Sequence, residues 1–278
     1  MSLAAADEAV GLPVEASFES RGTGPAIAMV HGLAASLHDW DFLIPDLVRA
    51  GYAGYALDLL GHGASPKPSR RDYKMAWLFD HFERWLDSLK LSDPFVIVGH
   101  SLGGYLALDY ARRYPDRVRG LVLISPVFSA TQLSPGLRLT HRLPVVSGWL
   151  SKHTPIWFFR LLIDASSILA GHGQGGMYEL PKQVREQTAL DYRRTAPGAY
   201  NLLGDSLDLV PDLPNIATPA LVLWGEQDRA LDPKSFASLV RLLPNATGSC
   251  TQTGHVPHQS RPRWLNGLVL QFIDSLAV

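Results

Sequence analysis

The sequence is poor in several features that mark whole classes of protein. Cys250 is the only cysteine among 278 residues, so neither an intrachain disulfide nor a cysteine-based metal site can form. The formal net charge is −1, which provides no general field to attract nucleic acid or an anionic membrane. No uncharged apolar run reaches the roughly 18 residues of a transmembrane helix. These absences favour a protein that acts on a small molecule.

Signals for export and for metal binding are missing as well. The first ten residues, MSLAAADEAV, have no basic region and carry Asp7 and Glu8, so a secretory signal is not expected. The ten histidines show neither H-x-H nor H-E-x-x-H spacing. We therefore predict a soluble, cytoplasmic protein with no metal and no cofactor, and the sequence leaves its oligomeric state open.

Strand and helix patterns alternate through the first 125 residues, as in a mostly parallel sheet covered by helices. The alternation stops at Pro126 and resumes at Pro219. The sequence therefore predicts an α/β core made of residues 1–125 and 215–278, with residues 126–214 inserted as a helical cap. Strands are predicted at 14–20, 26–30, 52–57, 95–98, 120–124, 220–225 and 248–252, and helices at 38–50, 72–90, 105–114, 233–243 and 262–276.

The stretch FVIVGHSLGG, residues 95–104, is the centre of the predicted site. It places Gly99, Ser101 and Gly103 at G-x-S-x-G spacing between a buried strand and a helix. A nucleophile elbow requires this context, because a strained turn that exposes the serine leaves no room for Cβ atoms on its neighbours. A chance match in a glycine-rich chain is the alternative, and the flanking strand and helix argue against it. Ser101 is the predicted nucleophile.

A serine hydroxyl needs a base within hydrogen-bond reach and an acid that orients the base. His255, in TQTGHVP, follows the last predicted strand and is the candidate base. Asp228, in ALVLWGEQD, follows the strand after the insertion and is the candidate acid. Glu226 is a weaker candidate because it lies so close to the strand. Asp232 directly precedes Pro233, which is typical of a helix N-cap.

Acyl transfer also requires donors for the oxyanion of its tetrahedral intermediate. The Leu102 backbone N–H lies at the start of the helix after the serine, where the helix dipole is positive. The His31-Gly32-Leu33 turn directly follows a strand, and the Leu33 N–H is the second predicted donor. A plain strand-to-helix turn would have the same sequence.

With these residues in place, the chain resembles the α/β-hydrolase fold family, and in particular its capped, epoxide-hydrolase-like branch. The resemblance covers nearly the whole chain outside the cap and implies Ser101 as nucleophile, Asp228 as acid, His255 as base and an oxyanion hole at Leu33 and Leu102. A glutamate that often follows the histidine in that branch is absent here. The motifs that carry it are HGLAAS at 31–36, DLLGHGAS at 58–65, GHSLGG at 99–104, LVLWGEQD at 221–228 and TGH at 253–255.

The resemblance also narrows the chemistry. Epoxide hydrolases and haloalkane dehalogenases of this branch have an aspartate where this chain has Ser101. A serine implies attack on a carbonyl, so a carboxylesterase-like hydrolase is the first hypothesis. Alternatives are a C–C hydrolase of vinylogous diketones, disfavoured because that subfamily has asparagine at the position of His100, and a perhydrolase side activity. A ligand receptor on the same fold is the alternative from another class.

The predicted cap is rich in aromatic residues, including Trp157, Phe158 and Tyr178. One interpretation is that they form an apolar pocket for the acyl or alcohol part of a small to medium substrate. The other is that they only dock the cap onto the sheet.

Overall fold

The computed structural model describes residues 15–69, 73–91, 94–134, 153–158, 161, 180–204 and 208–276. Seven strands in these ranges form a single sheet. They are β1 (Phe18–Arg21), β2 (Ala26–Val30), β3 (Ala53–Leu57), β4 (Phe95–His100), β5 (Val118–Ile124), β6 (Ala220–Gly225) and β7 (Ala246–Thr251). Their order across the sheet is β1-β3-β2-β4-β5-β6-β7, and only β1 is antiparallel to its neighbour.

Helices cover both faces of this sheet, which confirms the predicted α/β class. The main helices in the described ranges are α1 (Ile44–Arg49), α2 (Met75–Ser88), α3 (Leu102–Arg113), α4 (Lys182–Arg194), α5 (Pro233–Leu242), α6 (Pro257–Ser260) and α7 (Pro262–Ser275). None of the helices within the described ranges combines the length and apolar character that a bilayer crossing requires.

Strand β4, in the centre of the sheet, explains why the sequence FVIV at 95–98 is continuously apolar. All six of its residues are buried. Phe95 and Ile97 join the hydrophobic cluster that contains α2 and α3, whereas Val96 and Val98 join the cluster that contains α1 and α7. Successive side chains of a strand point to opposite faces, so a strand covered on both sides needs apolar residues throughout. This packing fixes β4, and with it the turn that follows.

The predicted helix at 38–50 is interrupted in the structure. Leu37–Trp40 forms one turn of 3-10 helix, and α1 begins only at Ile44. Pro45 explains the break, because it has no N–H to donate to the Asp41 carbonyl and its ring would collide with that carbonyl in a continuous α-helix. Asp39 lies within the short turn and is buried.

The chain between β5 and β6 is the predicted cap. One of its two predicted helical parts, at 179–194, folds as α4, whose residues reach the edge of the sheet near Ser101. Most of the other, at 149–169, lies outside the described residues. Within the described part, the segment meets core residues through hydrogen bonds such as Ala196 N–H to Gly61 O and through isolated bridges such as Leu133 to Leu231. The division into core and cap remains a prediction.

Candidate active site

Ser101 lies on a strained turn between β4 and α3. Its backbone has φ of +50° and ψ of −111°, a conformation that residues other than glycine rarely adopt. A Cβ atom at Gly99 would press on the Gly103 backbone, and one at Gly103 would collide with the Val30 carbonyl. The turn therefore depends on both glycines, as the G-x-S-x-G spacing predicts, and it directs Ser101 into a cavity at the carboxyl end of the sheet.

A chain of hydrogen bonds connects Ser101, His255 and Asp228. The Ser101 Oγ lies 3.0 Å from the His255 Nε2, and the His255 Nδ1 lies 2.7 Å from the Asp228 Oδ2. The Asp228 side chain is fully buried, whereas a quarter of the His255 side chain is exposed. The other Asp228 oxygen accepts from the backbone N–H groups of Ala230 and Leu231, at 2.8 and 3.0 Å. The carboxylate is thus held on both oxygens and orients the imidazole.

The electrostatics of the pair support a proton-accepting imidazole. Burial acts to raise the pKa of Asp228, but the charge of His255 and hydrogen bonds from the ring and two backbone N–H groups lower it below its usual value. Burial acts in the opposite sense on His255, yet the Asp228 carboxylate raises the pKa of this histidine above 6.5. The acid therefore stays ionised near neutral pH, and the histidine can hold a proton taken from the serine.

The two loops that carry the acid and the base are packed against each other. Asp228 comes three residues after β6, and His255 four residues after β7. Gly225, at the end of β6, lies against the carbonyl groups of Thr253 and Gly254, where a Cβ atom would not fit. This backbone contact brings Asp228 and His255 together although 27 residues separate them.

The two rival acids have other partners. Asp232 is the N-cap of α5, and its side chain accepts from the Lys234 N–H at 3.0 Å, which confirms the N-cap prediction. Glu226 accepts from Cys250 and Gln252 on the exposed side of β7. Neither carboxylate contacts His255 within the described residues.

Two backbone N–H groups flank Ser101 without an acceptor in the described part of the chain. The first belongs to Leu102, at the first position of α3, where a helix N–H has no intrahelical partner. The second belongs to Leu33, which lines the same cavity. Between them Gly32 approaches so closely that an added Cβ would lie 3.2 Å from the Ser101 Cβ. These are the positions that the sequence predicts for oxyanion donors.

The cavity above Ser101 has a volume of about 450 Å³. Its lining combines apolar side chains such as Leu33, Phe42 and Val256 with polar ones such as His38 and Gln259. One face of α4 also contributes to the lining and is mixed. Its residues are Gln183, Val184, Gln187, Thr188, Asp191 and Tyr192.

The aromatic residues predicted for the pocket do not supply this lining. Trp157 and Phe158 are 65% and 37% exposed, pack edge-to-face on each other, and are not among the residues that line the cavity. Both rings therefore lie on the surface of the described part of the chain. Tyr178 lies outside the described residues. The apolar pocket built from these side chains therefore finds no support in the described cavity.

Two groups of polar residues near the serine were not predicted. On the cavity side, Asp191 of α4 accepts from the Ser36 hydroxyl at 2.9 Å, and its burial raises its pKa to about 6. A second, buried cluster contains Asp39, His100, His258 and Gln259, and all of these except His258 also line the cavity. A lone aspartate in a turn gives no sequence signal for such contacts, since the partners are 61 to 220 residues away.

The buried cluster contains three side chains of types that can bind a metal ion. One ligand atom from each of Asp39, His100 and His258 lies within 4.8 Å of the others, and this is the only such group in the described ranges. Its two closest atoms, the Asp39 Oδ2 and the His100 Nδ1, are 3.1 Å apart, which is a direct hydrogen-bond distance.

Comparisons with known proteins agree with this architecture. A family model described as "alpha/beta hydrolase fold" matches residues 25–262. A rice (Oryza sativa subsp. japonica) protein named "Probable 1-acylglycerol-3-phosphate O-acyltransferase" is 32% identical over 145 residues, which are 51% of this chain and 32% of the rice protein. The chain thus spans about a third of the length of this relative.

Two solved structures are similar over nearly the whole chain. One is a thermophilic esterase from Thermogutta terrifontis, with a TM-score of 0.78 and 22% identity over 95% of this chain and 94% of that one. The other is a meta-cleavage product hydrolase from Pseudomonas fluorescens, with a TM-score of 0.73 and 22% identity over 94% of both chains. Similarity at this identity establishes a common fold.

Proposed function

The chain belongs to the α/β-hydrolase fold family, and on that basis we propose that it is a serine hydrolase that cleaves a carboxylic ester, or a related acyl bond, through an acyl-enzyme. The observation that carries the proposal is the hydrogen-bonded chain from Ser101 through His255 to Asp228. The relation to an esterase fold supports it. We further propose a cytoplasmic location for the enzyme.

In the first half of the proposed reaction, the Ser101 Oγ attacks the substrate carbonyl while the His255 Nε2 takes the hydroxyl proton. Asp228 keeps the Nδ1–H of His255 in place and stabilises the imidazolium. The negative charge that develops on the carbonyl oxygen is stabilised by the N–H groups of Leu33 and Leu102, which are fixed before the reaction begins. His255 then gives its proton to the leaving alcohol, and Ser101 remains acylated.

In the second half, a water molecule replaces the alcohol and gives its proton to His255 as it attacks the acyl carbon. The tetrahedral intermediate collapses, the acid leaves, and the proton returns to the Ser101 Oγ. No other group is required. A cavity of about 450 Å³ lined by both apolar and polar side chains suits a small to medium ester.

The proposal is tested with p-nitrophenyl esters of increasing chain length and with a fluorophosphonate that labels activated serines. We expect ester turnover in the wild-type protein and its loss in Ser101→Ala. The expected drop in kcat/KM is about 10⁴-fold or more, because the nucleophile is gone. Mass spectrometry of the labelled protein is expected to place the phosphonate on the peptide that contains Ser101.

Ser125→Ala is the matched control. Ser125 follows the neighbouring strand β5, is fully buried, has a positive φ of 40° and does not line the cavity. Its hydroxyl has no hydrogen-bond partner within the described residues, so its loss should leave turnover and labelling intact. If Ser101→Ala hydrolyses esters as fast as Ser125→Ala does, the mechanism is wrong. If no ester turns over and no label is taken up, the receptor hypothesis is favoured.

Cleavage of a C–C bond in a vinylogous diketone is the second candidate, and the similarity to the meta-cleavage product hydrolase favours it. The same nucleophile, base and oxyanion donors would serve that reaction. His100 argues against it, since the subfamily resembled here has asparagine at that position. A ring-fission dienoate tested beside the esters distinguishes the two, because a dienoate kcat/KM far above that of any ester would reverse the ranking.

A further inference from the structure

The His100 side chain lies between two groups that can only accept a hydrogen bond. Its Nδ1 is 3.1 Å from the Asp39 Oδ2, and its Nε2 is 3.2 Å from the backbone carbonyl oxygen of His255. A carbonyl oxygen has no proton to give, and an ionised carboxylate has none either. Both contacts are hydrogen bonds only if the ring offers an N–H at each nitrogen.

A neutral His100 ring has only one N–H, so it can donate a hydrogen bond to only one of the two acceptors. With the proton on Nδ1, the Nε2 lone pair would point at the His255 carbonyl oxygen. With the proton on Nε2, the Nδ1 lone pair would point at the Asp39 carboxylate. His100 and Asp39 are only 4% and 7% exposed, and the contacts of 3.1 and 3.2 Å are too short for a water molecule to lie between the ring and either acceptor. A doubly protonated ring satisfies both contacts and forms an ion pair with Asp39.

The surroundings of the pair agree with one shared positive charge. The Asp39 Oδ1 accepts from the Gln259 Nε2 at 3.0 Å, which leaves this carboxylate anion with donors on both oxygens. Burial opposes its ionisation, but the bond from His100 and the proximity of His258 hold the pKa of Asp39 far below its usual value. The other ionisable groups that face the pair are His255 and, across the cavity, Asp191.

His258 is the rival site for the proton. Its ring is tilted by 55° against the His100 ring with centroids 4.4 Å apart, and its Nε2 is 3.8 Å from the Asp39 Oδ2, which is too long for a hydrogen bond. Burial and the nearby His258 act to lower the pKa of His100, whereas the hydrogen bond to Asp39 and the charge of Asp39 act to raise it. His258 has no hydrogen bond at either nitrogen within the described residues, so the two acceptors favour a second proton on His100 and not on His258.

We propose that His100 is a positioning residue that remains doubly protonated at the pH of catalysis, paired with Asp39, and that it holds the His255 main chain at the distance the Ser101–His255 contact requires. His100 directly precedes Ser101 in the chain, so one ring links the nucleophile's backbone to the base's backbone. The positioning role rests on the proposed hydrolase function, whereas the protonation state does not.

The protonation state is measured without any substrate. In protein labelled with ¹⁵N at the histidine rings, long-range proton–nitrogen spectra between pH 5 and 9 distinguish neutral from doubly protonated rings. An ordinary histidine with a pKa of about 6.5 is only about 3% protonated at pH 8. We expect one ring with two N–H groups at pH 8, absent from His100→Gln and converted to a neutral ring in Asp39→Asn. If no ring is doubly protonated at pH 8, or if that ring survives in His100→Gln, the proposal fails.

The positioning role is measured by kinetics. We expect kcat/KM for an ester to fall about 100-fold in His100→Gln and in Asp39→Asn, with KM little changed, because a misplaced base affects the transition state more than binding. Fluorophosphonate labelling of Ser101 should slow by a similar factor. His258→Phe is the matched control, since it preserves a buried ring in the same cluster and removes no contact to His255. It should retain the wild-type rate.

Three outcomes separate the possibilities. An equal loss in His258→Phe would overturn the positioning role, because general damage to the cluster would then explain it. One tightly bound Zn²⁺ per purified chain, lost in Asp39→Asn and in His258→Phe, would overturn the protonated pair in favour of a metal site. A doubly protonated His100 in a protein without ester turnover or Ser101 labelling would support the pair while contradicting the proposed function.

Discussion

Two carboxylate–imidazole pairs lie near Ser101, a front pair of Asp228 and His255 and a rear pair of Asp39 and His100, and they use the same chemical groups in different ways. In the front pair, the His255 ring faces Asp228 with one nitrogen and the Ser101 hydroxyl with the other. In the rear pair, the His100 ring faces Asp39 and a backbone carbonyl oxygen. A hydroxyl can both donate and accept, but a carbonyl can only accept. The front ring is therefore free to gain and lose a proton, and the rear ring is not.

Exposure differs in the same direction. Both histidines line the cavity, but a quarter of the His255 side chain is exposed, whereas only 5% of the His100 side chain is exposed. A histidine at a water-accessible position can exchange its proton during each turnover. A buried one with two fixed acceptors contributes a constant charge and a constant position. The comparison teaches that the partner of the second nitrogen decides which imidazole is the base.

The largest expected effect comes from removing the front carboxylate's charge. Asp228→Asn should lower kcat/KM by about 10⁴-fold, because an amide favours the wrong tautomer of His255 and no longer stabilises its charged form. Steady-state ester hydrolysis measures the loss. The same change at Asp39 should cost about 100-fold, since Asp39 acts on the base only through His100. Equal losses at the two positions would remove the distinction between the pairs.

For the free energy of unfolding we expect the opposite order, with the larger loss in Asp39→Asn and the smaller in Asp228→Asn. Asp39→Asn should lower the free energy of unfolding by about 3 kcal/mol, because it leaves a buried His100 without its counter-charge. Asp228→Asn should cost only about 1 kcal/mol, because the partly exposed His255 can give its proton to solvent. Urea unfolding followed by tryptophan fluorescence measures both. A rear variant as stable as the front one would mean that the rear pair carries no charge.

The pH dependence of kcat/KM addresses the front pair alone. His255 acts as a base only when neutral, and Asp228 raises its pKa above 6.5. A raised pKa keeps the ring protonated to higher pH, so the acid limb of the profile should have its midpoint above 6.5 and fall about tenfold per pH unit below it. In Asp228→Asn this midpoint should move to lower pH in the residual activity. An unchanged midpoint would show that another group controls the acid limb.

Much of the front pair could be predicted from local sequence. A buried strand, a glycine-flanked serine and a helix specify the elbow, and Asp228 and His255 follow strands whose carboxyl ends meet at one edge of the sheet. The structure brings these three side chains into hydrogen-bond contact, and their catalytic roles remain predictions. The N-cap at Asp232 could also be predicted from the sequence, because a carboxylate directly before a proline at a helix start is a local feature.

The rear pair could not be predicted, because its contacts depend on packing between distant segments. Asp39 lies in a short 3-10 turn that is separate from α1, and it reaches His100 across 61 residues of sequence. The α4 residues that line the cavity were not predicted for a similar reason. The face of α4 that lines the cavity depends on how this helix packs on the sheet. The number of aromatic residues in the segment between β5 and β6 does not predict that packing.

The smallest expected effect tests whether a carboxylate near the site changes the activity without a hydrogen bond to a histidine. Asp232 lies four residues from Asp228 but pairs with a backbone N–H of α5 and with no imidazole in the described chain. Asp232→Ala should cost about 1 kcal/mol of unfolding free energy through the lost N-cap. It should leave kcat/KM and its pH profile unchanged, because neither histidine loses a partner. A shifted acid limb in this variant would instead mean that His255 senses total charge in its loop, and the contrast between the two pairs would then be one of distance and not of hydrogen-bond partner.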